Sequence, residues 1–218
     1  MSAGLSLQPR QDVVAKSISL EVWFDLICPW CLIGKRQLEQ ALAEFGRLHP
    51  ERPVTLTWRS QPLLPDIPPQ GVPFREFYLG RLGSAEAVAA RQAQVVAAAS
   101  RVGLALDFST IEVMPDTRAA HGLVADAQAQ CGADTVDALI EDLFGMHFAR
   151  GMNLGDGQLL DALAADHGVT RSHAVPAASP GVSGVPLFVA DRTEALSGAQ
   201  EPRRLLAMLL KVAQAPAR

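Results

Sequence analysis

Cys28 and Cys31 stand two residues apart, with Pro29 and Trp30 between them, in the stretch Asp25-Leu26-Ile27-Cys28-Pro29-Trp30-Cys31. Two cysteines at this spacing suit thiol–disulfide exchange, in which one sulfur attacks a disulfide and the other resolves the mixed disulfide that results. The attacking sulfur must be a thiolate, and a helix N-terminus favours one through its unpaired N–H groups and positive dipole end. The flanking sequence supplies such a position. Ile18 to Phe24 reads as a strand, with β-branched and aromatic residues around Ser19 and Glu21. Leu32 to Leu48 reads as an amphipathic helix, with Leu38, Leu42 and Phe45 at helical spacing and Gly46 near its end. The turn between them puts Cys28 just ahead of the helix, as the candidate nucleophile, and Cys31 in its first turn, as the candidate resolving thiol. Pro29 falls at or near the first helical position, where its missing N–H costs nothing.

Other readings of the pair compete. A zinc site needs two more ligands, and the tempting pair, His167 and His173, lies far from Cys31 in sequence. No metal is therefore expected. A structural disulfide across so tight a turn closes almost no loop and stabilises little. Two buried, inert thiols remain as the bland alternative. Exchange chemistry is the strongest reading.

The rest of the chain sets bounds on what such a pair serves. A length of 218 residues, 49% hydrophobic and 19% charged, fits one domain with a sizeable core and, on composition, a soluble globular enzyme. A net charge of −4 gives no reason to expect nucleic acid, which asks for a basic surface. No apolar run approaches the length of a membrane span, so no membrane partner is expected. Met1 to Lys16 has no signal-like apolar core and reads as a disordered lead-in, which points to the cytoplasm. There, a paired dithiol is more often catalytic than structural.

Downstream, Pro53 to Arg59 alternates as a second strand, and the proline-rich run Gln61 to Pro73 is a connection. Phe74 to Leu82 reads as a turn or two of helix. Ser84 caps a helix to Arg101, Asp116 or Thr117 caps another ending at Gly132, Asp134 precedes a third ending by Gly151, and Asp156 a fourth ending at Gly168. Val185 to Ala190 and Glu194 to Ser197 read as a hairpin about Asp191-Arg192, and Glu201 to Val212 as a closing helix.

The segment Asp-x-x-Cys-Pro-Trp-Cys, followed by Ile33-Gly34-Lys35-Arg36, resembles the active-site segment of the DsbA-like thioredoxin-fold oxidoreductases, in particular their soluble FrnE-type branch. Ala120-His121, Leu143-Phe144, Gly181-Val182-Ser183-Gly184-Val185-Pro186-Leu187-Phe188 and Ser197-Gly198-Ala199-Gln200 match in the same order. The resemblance implies an α/β, thioredoxin-like fold with a large all-helical insertion: residues 17–62 and 181–215 form the thioredoxin-like domain, and 63–180 the inserted one. It implies that Pro186 is a cis-proline facing the cysteines, presenting the Val185 backbone to substrate and keeping metal ions off the thiols. It implies a disulfide- or thiol-containing protein or small thiol as partner, no bound cofactor, and glutathione as a candidate co-substrate. Related glutathione-dependent enzymes, the kappa-type transferases and hydroxychromene-carboxylate isomerases, typically carry serine where Cys28 stands and lack the second cysteine. A non-catalytic binding module or chaperone with a vestigial dithiol is the other alternative. The sequence departs from the family between Gly168 and Gly181, where twelve residues including Pro176 and Pro180 leave no room for a further helix.

Each remaining candidate has a plainer reading beside it. Pro29 and Trp30 are placed to tune the redox balance, and Trp30 equally suits a surface aromatic that meets substrate. Asp25 serves either as a proton relay or as a hydrogen-bonding group in the turn, the latter favoured. His121 lines the groove or is a satisfied core histidine, and His147, on an apolar stripe, reads as core. Cys131 takes a stripe position behind Val124 and Ala127 and reads as a small, shielded hydrophobe outside the chemistry.

Overall fold

In the computed structural model, residues 17–177, 179 and 181–215 are described; the expected lead-in, residues 1–16, lies outside them, as does Pro180. β1 (Ile18–Phe24) leads through Cys28 into α1 (Pro29–Leu48), and β2 (Val54–Ser60) returns parallel to β1, from Ile18 opposite Val54 to Phe24 opposite Ser60. The chain comes back to the sheet only at β5 (Leu187–Ala190), antiparallel to β1, and β6 (Glu194–Ser197), its hairpin partner; α7 (Pro202–Gln214) closes the fold. The sheet order is β2-β1-β5-β6, which makes β1 central. That position explains why β1 is buried almost along its length, including Val22 and Glu21, instead of alternating in and out. Glu21 is neutralised by the Arg59 guanidinium from β2, whose Nε donates at 2.7 Å.

Asp191 and Arg192, in the hairpin turn, take the left-handed region with φ of 46° and 58°. Asp191 Oδ1 accepts from the Ser19 N–H at 2.8 Å, fastening the turn to β1.

Between β2 and β5 lie β3 (Val72–Pro73), α2 (Phe74–Leu82), α3 (Ala85–Ser100), β4 (Val113–Met114), α4 (Arg118–Gln130), α5 (Ala133–Phe148) and α6 (Gly157–Asp166). Among the described residues the regular elements of this inserted stretch are helices, apart from a 3-10 turn at Phe108–Thr110 and a two-residue ladder in which β3 and β4 pair antiparallel. Those pieces were not foreseen, since two residues a side carry no period. α2 is nine residues, longer than the turn or two expected, and Gly83 ends it with φ of 86°. The expected caps form at Ser84, which accepts from the Ala87 N–H at 3.2 Å, and at Asp156, which accepts from the Gln158 N–H at 2.9 Å.

α4 lies along the outer edge of the sheet. There Gln128 uses its amide as a strand would, accepting from the Trp58 N–H at 2.8 Å and donating to the Trp58 carbonyl at 3.0 Å. This satisfies part of an otherwise open β2 edge. One continuous core joins the sheet to the insertion: Phe24 of β1 meets Trp58, His121 and Phe144 edge-on, with ring centroids 5.0, 5.0 and 6.3 Å away. The segment from Gly168 to Gly181 forms no regular element among its described residues. It is held instead by side chains: Gln61 Oε1 accepts from the Ser179 N–H at 2.9 Å, and Trp23 Nε1 donates to Ser179 Oγ at 3.0 Å.

Candidate active site

Cys28 is the N-cap of α1 and Pro29 its first residue, so Cys31 lies in the first turn. The turn is closed by the Cys28 N–H donating to the Asp25 carbonyl at 3.1 Å and the Cys31 N–H donating to the Cys28 carbonyl at 2.9 Å. Both sulfurs are free thiols, 6% exposed at Cys28 and 3% at Cys31. Burial pushes the Cys31 thiol well above the usual thiol range, and Cys28 beside it adds to the rise. Near neutrality Cys31 therefore holds its proton.

The Val185–Pro186 peptide is cis and stands across from the cysteines, with the Val185 carbonyl 3.8 Å from Cys28 Sγ. The loop is seated from two sides. The Gly198 N–H donates to the Pro186 carbonyl at 2.7 Å, and Gly34 lets α1 approach: a Cβ on Gly34 would stand 3.0 Å from Pro186 Cγ and 3.2 Å from Phe188 Cζ. Gly34 belongs to the Ile33-Gly34-Lys35-Arg36 motif, and a close contact with residues this distant in the chain leaves no local signal in the sequence. β5 begins at Leu187, so Val185 lies in the loop and not in the strand.

Under the turn, Asp25 is fully buried. Its Oδ2 accepts from the Leu63 N–H at 2.7 Å, and its Oδ1 faces His121 Nε2 at 3.2 Å. His121 comes from the first turn of α4 and is itself buried, with Nδ1 unpaired in the described residues. His147 of α5 is buried with neither ring nitrogen within satisfactory hydrogen-bond geometry. Burial lowers its pKa to about 4, against a smaller upward pull from the Met152 backbone and Asp25. Asp25, Cys28, Pro29, Trp30, Cys31, His121, Val185 and Pro186 are thus brought to one end of α1 and the sheet.

Cys131 is a correction. It is the C-cap of α4 and only half-buried, because the helix ends at Gln130, although its side chain still packs against the core. Ten residues separate it from His121, a rise of roughly 15 Å along an α-helix.

Lys35, on the second turn of α1, is 2% exposed and is held by three carboxylates, Glu39 on its own helix and Asp137 and Glu141 on α5, the last two at 2.9 and 3.4 Å. Burial pulls the Lys35 ammonium down, but Glu39 and Asp137 outweigh it and keep it above its usual value. With Arg36 bonded to Glu141, this clamp fixes the cysteine-bearing helix to the insertion.

A cavity of about 530 Å³ opens beside Cys28. One wall is the turn itself, Ile27 to Trp30; the other comes from α2 and α3 and includes Phe77, Tyr78, Arg81, Val88 and Arg91. Trp30 is half-buried in it, with the Arg91 guanidinium 5.8 Å above its ring. These insertion residues were not singled out in the sequence, since nothing in the spacing of two surface helices says which face turns to the cysteines. Burial pushes the Tyr78 phenol above its usual value, and the Cys28 sulfur contributes. Among the described residues no group of three or more histidine, cysteine or acidic side chains is disposed to hold a metal ion; His167 is engaged with Asp142 at 2.8 Å.

The DSBA-like thioredoxin domain matches residues 19–209. No curated protein matches the chain. Among solved structures, a probable DsbA oxidoreductase from Streptomyces coelicolor is similar with a TM-score of 0.77 and 26% identity, over 92% of this chain and 93% of that one. The cytosolic disulfide reductase DsbM from Pseudomonas aeruginosa, solved with GSH, is similar in fold with a TM-score of 0.57 and 16% identity, over 90% of this chain and 100% of that one. A 2-hydroxychromene-2-carboxylate isomerase shares the fold with a TM-score of 0.50 and 16% identity, over 90% of this chain and 95% of that one. With the match running from the second residue of the described sheet into the last helix, this chain belongs to the DSBA-like thioredoxin domain family.

Proposed function

We propose that the chain is a thiol–disulfide oxidoreductase that works through Cys28 and Cys31. The observation that carries this reading is the placing of Cys28 at the α1 N-cap, against the Val185 carbonyl, with Cys31 one turn deeper and the cavity open beside Cys28. A Cys28 thiolate attacks a substrate disulfide, forming a Cys28–substrate bond and releasing the first substrate thiolate, which takes a proton from solvent. Cys31, after giving its proton to solvent, attacks Cys28 Sγ; the Cys28–Cys31 disulfide forms, the second substrate thiolate leaves, and two electrons have passed to the substrate. Reversed, the same steps oxidise a dithiol. Burial that keeps Cys31 protonated leaves Cys28 as the sulfur that attacks first.

No bound cofactor enters these steps. The partner is a protein or small-molecule disulfide or thiol, and a cytoplasmic location belongs to the same reading. GSH in the structure of the fold-similar reductase makes glutathione a natural small thiol to test. The intact cysteine pair favours exchange over a transferase or isomerase activity. Insulin reduction driven by dithiothreitol tests the reading: the wild type should accelerate turbidity and Cys28→Ser should not. Equal rates for the two would contradict it.

A further inference from the structure

Two arginines stand at the cavity that holds Cys28, and no carboxylate does. Arg81 lies near the end of α2 and Arg91 in α3, both exposed. Among the described residues neither makes an ion pair; Arg91 donates to the neutral Gln94 side chain at 2.7 Å. Several other arginines are paired with carboxylates, Arg36 with Glu39 and Glu141, Arg118 with Asp116, Arg171 with Asp161, while Arg75, Arg101, Arg150 and Arg204 make no ion pair among the described residues but do not line this cavity. In a protein of net charge −4, two guanidinium groups without an ion-pair partner on the wall of the cavity that Cys28 lines make it locally positive. The rest of the lining is mainly apolar and aromatic, with Leu63, Leu64, Phe77, Val88, Phe108 and Met114.

Resting on the exchange reading above, we infer that the cavity selects a small disulfide with an apolar, preferably aryl, body next to the sulfur and a carboxylate at its far end. A volume of about 530 Å³ has room for the whole of such a molecule beside the turn. The aryl body lies against the aromatic wall beside Trp30, and Arg81 and Arg91 take the carboxylate. The covalent step is unchanged: the Cys28–S–aryl bond forms, the other aryl thiolate leaves, and Cys31 then displaces the bound half as its thiolate. The reduced protein supplies both electrons, so a single turnover needs no other reductant.

The test is single-turnover oxidation of the reduced protein by the para isomers of dithiodibenzoate and of its uncharged amide, dithiodibenzamide. Each rate is divided by the rate of the same disulfide with dithiothreitol, which removes differences in leaving-group reactivity. The normalised acid-to-amide ratio should be roughly tenfold at low salt, the scale set by two exposed charge contacts, and should fall at high salt. In the Arg81→Gln/Arg91→Gln double variant it should approach one; both side chains are exposed, so the fold should survive. Dithiodipropionate, an aliphatic diacid, should react more slowly than dithiodibenzoate on the same scale. A wild-type ratio near one, or a high ratio kept by the double variant, would overturn the inference while leaving exchange intact. A peptide disulfide flanked by acidic and aromatic residues that outpaces dithiodibenzoate would overturn the small-molecule assignment. No reaction with any disulfide would remove the exchange reading itself.

Discussion

Asp25 Oδ1 lies 3.2 Å from His121 Nε2, with both side chains buried, and this contact joins the cysteine turn to α4 of the inserted stretch. Asp25 also holds the Leu63 N–H at 2.7 Å, so one carboxylate orders the end of β1, the start of the connection and α4 together. His121→Ala strips one of those partners from a buried oxygen and should cost about 2 kcal/mol, whereas Asp25→Asn keeps an acceptor for Leu63 and should cost less. Urea unfolding measures both. Equal losses in the two variants would count against a positioning role for the pair.

Gly34→Ala tests the seating of the Pro186 loop. The added methyl would meet Pro186 Cγ at 3.0 Å and Phe188 Cζ at 3.2 Å, inside the packed layer between α1 and β5. Overpacking of this kind costs about 1–3 kcal/mol. It should also slow exchange at Cys28, because the loop that carries Val185 must move. Unchanged stability and unchanged insulin reduction would show that the loop has room to spare.

His147 should make the fold acid-sensitive. Its folded pKa of about 4 lies below the ordinary 6.5, so the unfolded chain binds the proton more readily than the native one. Stability is then complete above about pH 6.5 and is lost as pH falls through the folded value, by about 3 kcal/mol for this one group. His147→Phe removes the titration and should flatten that part of the stability–pH profile. A profile between pH 4 and 6.5 that is identical in the variant would contradict the assignment.

Cys131 should play no part in exchange, even though it is only half-buried. A disulfide asks for Cα atoms within about 7 Å, and Cys131 lies at the far end of α4 from His121 and the cysteine turn. Cys131→Ala should leave insulin reduction nearly unchanged and shift stability by about 1 kcal/mol or less. A large loss of turnover in a folded variant would contradict this.

The cysteine turn was legible because each of its parts has a local signature: an apolar strand, a proline at the first helical position, and leucines at helical spacing in α1. The hairpin, α7 and the four-helix run were legible for the same reason. What stayed hidden depends on contacts between distant segments. The value of Gly34 depends on Pro186, and that of Lys35 on Asp137 and Glu141. The cavity arginines acquire meaning only once α2 and α3 fold over Trp30. The β3–β4 ladder carries too few residues to show a period. Cys131 was misplaced because a stripe extrapolated one residue too far reaches the C-cap, where the chain no longer follows the helix.

Division of labour between the two sulfurs is the central claim, and trapping tests it most directly. Cys31→Ser, incubated with a disulfide substrate and then quenched with acid, should accumulate a mixed disulfide at Cys28, identified by mass after proteolysis. Cys28→Ser should accumulate none, because the buried Cys31 thiol keeps its proton. Trapping at Cys31 in the Cys28→Ser protein, or none at Cys28 in the Cys31→Ser protein, would contradict the assignment.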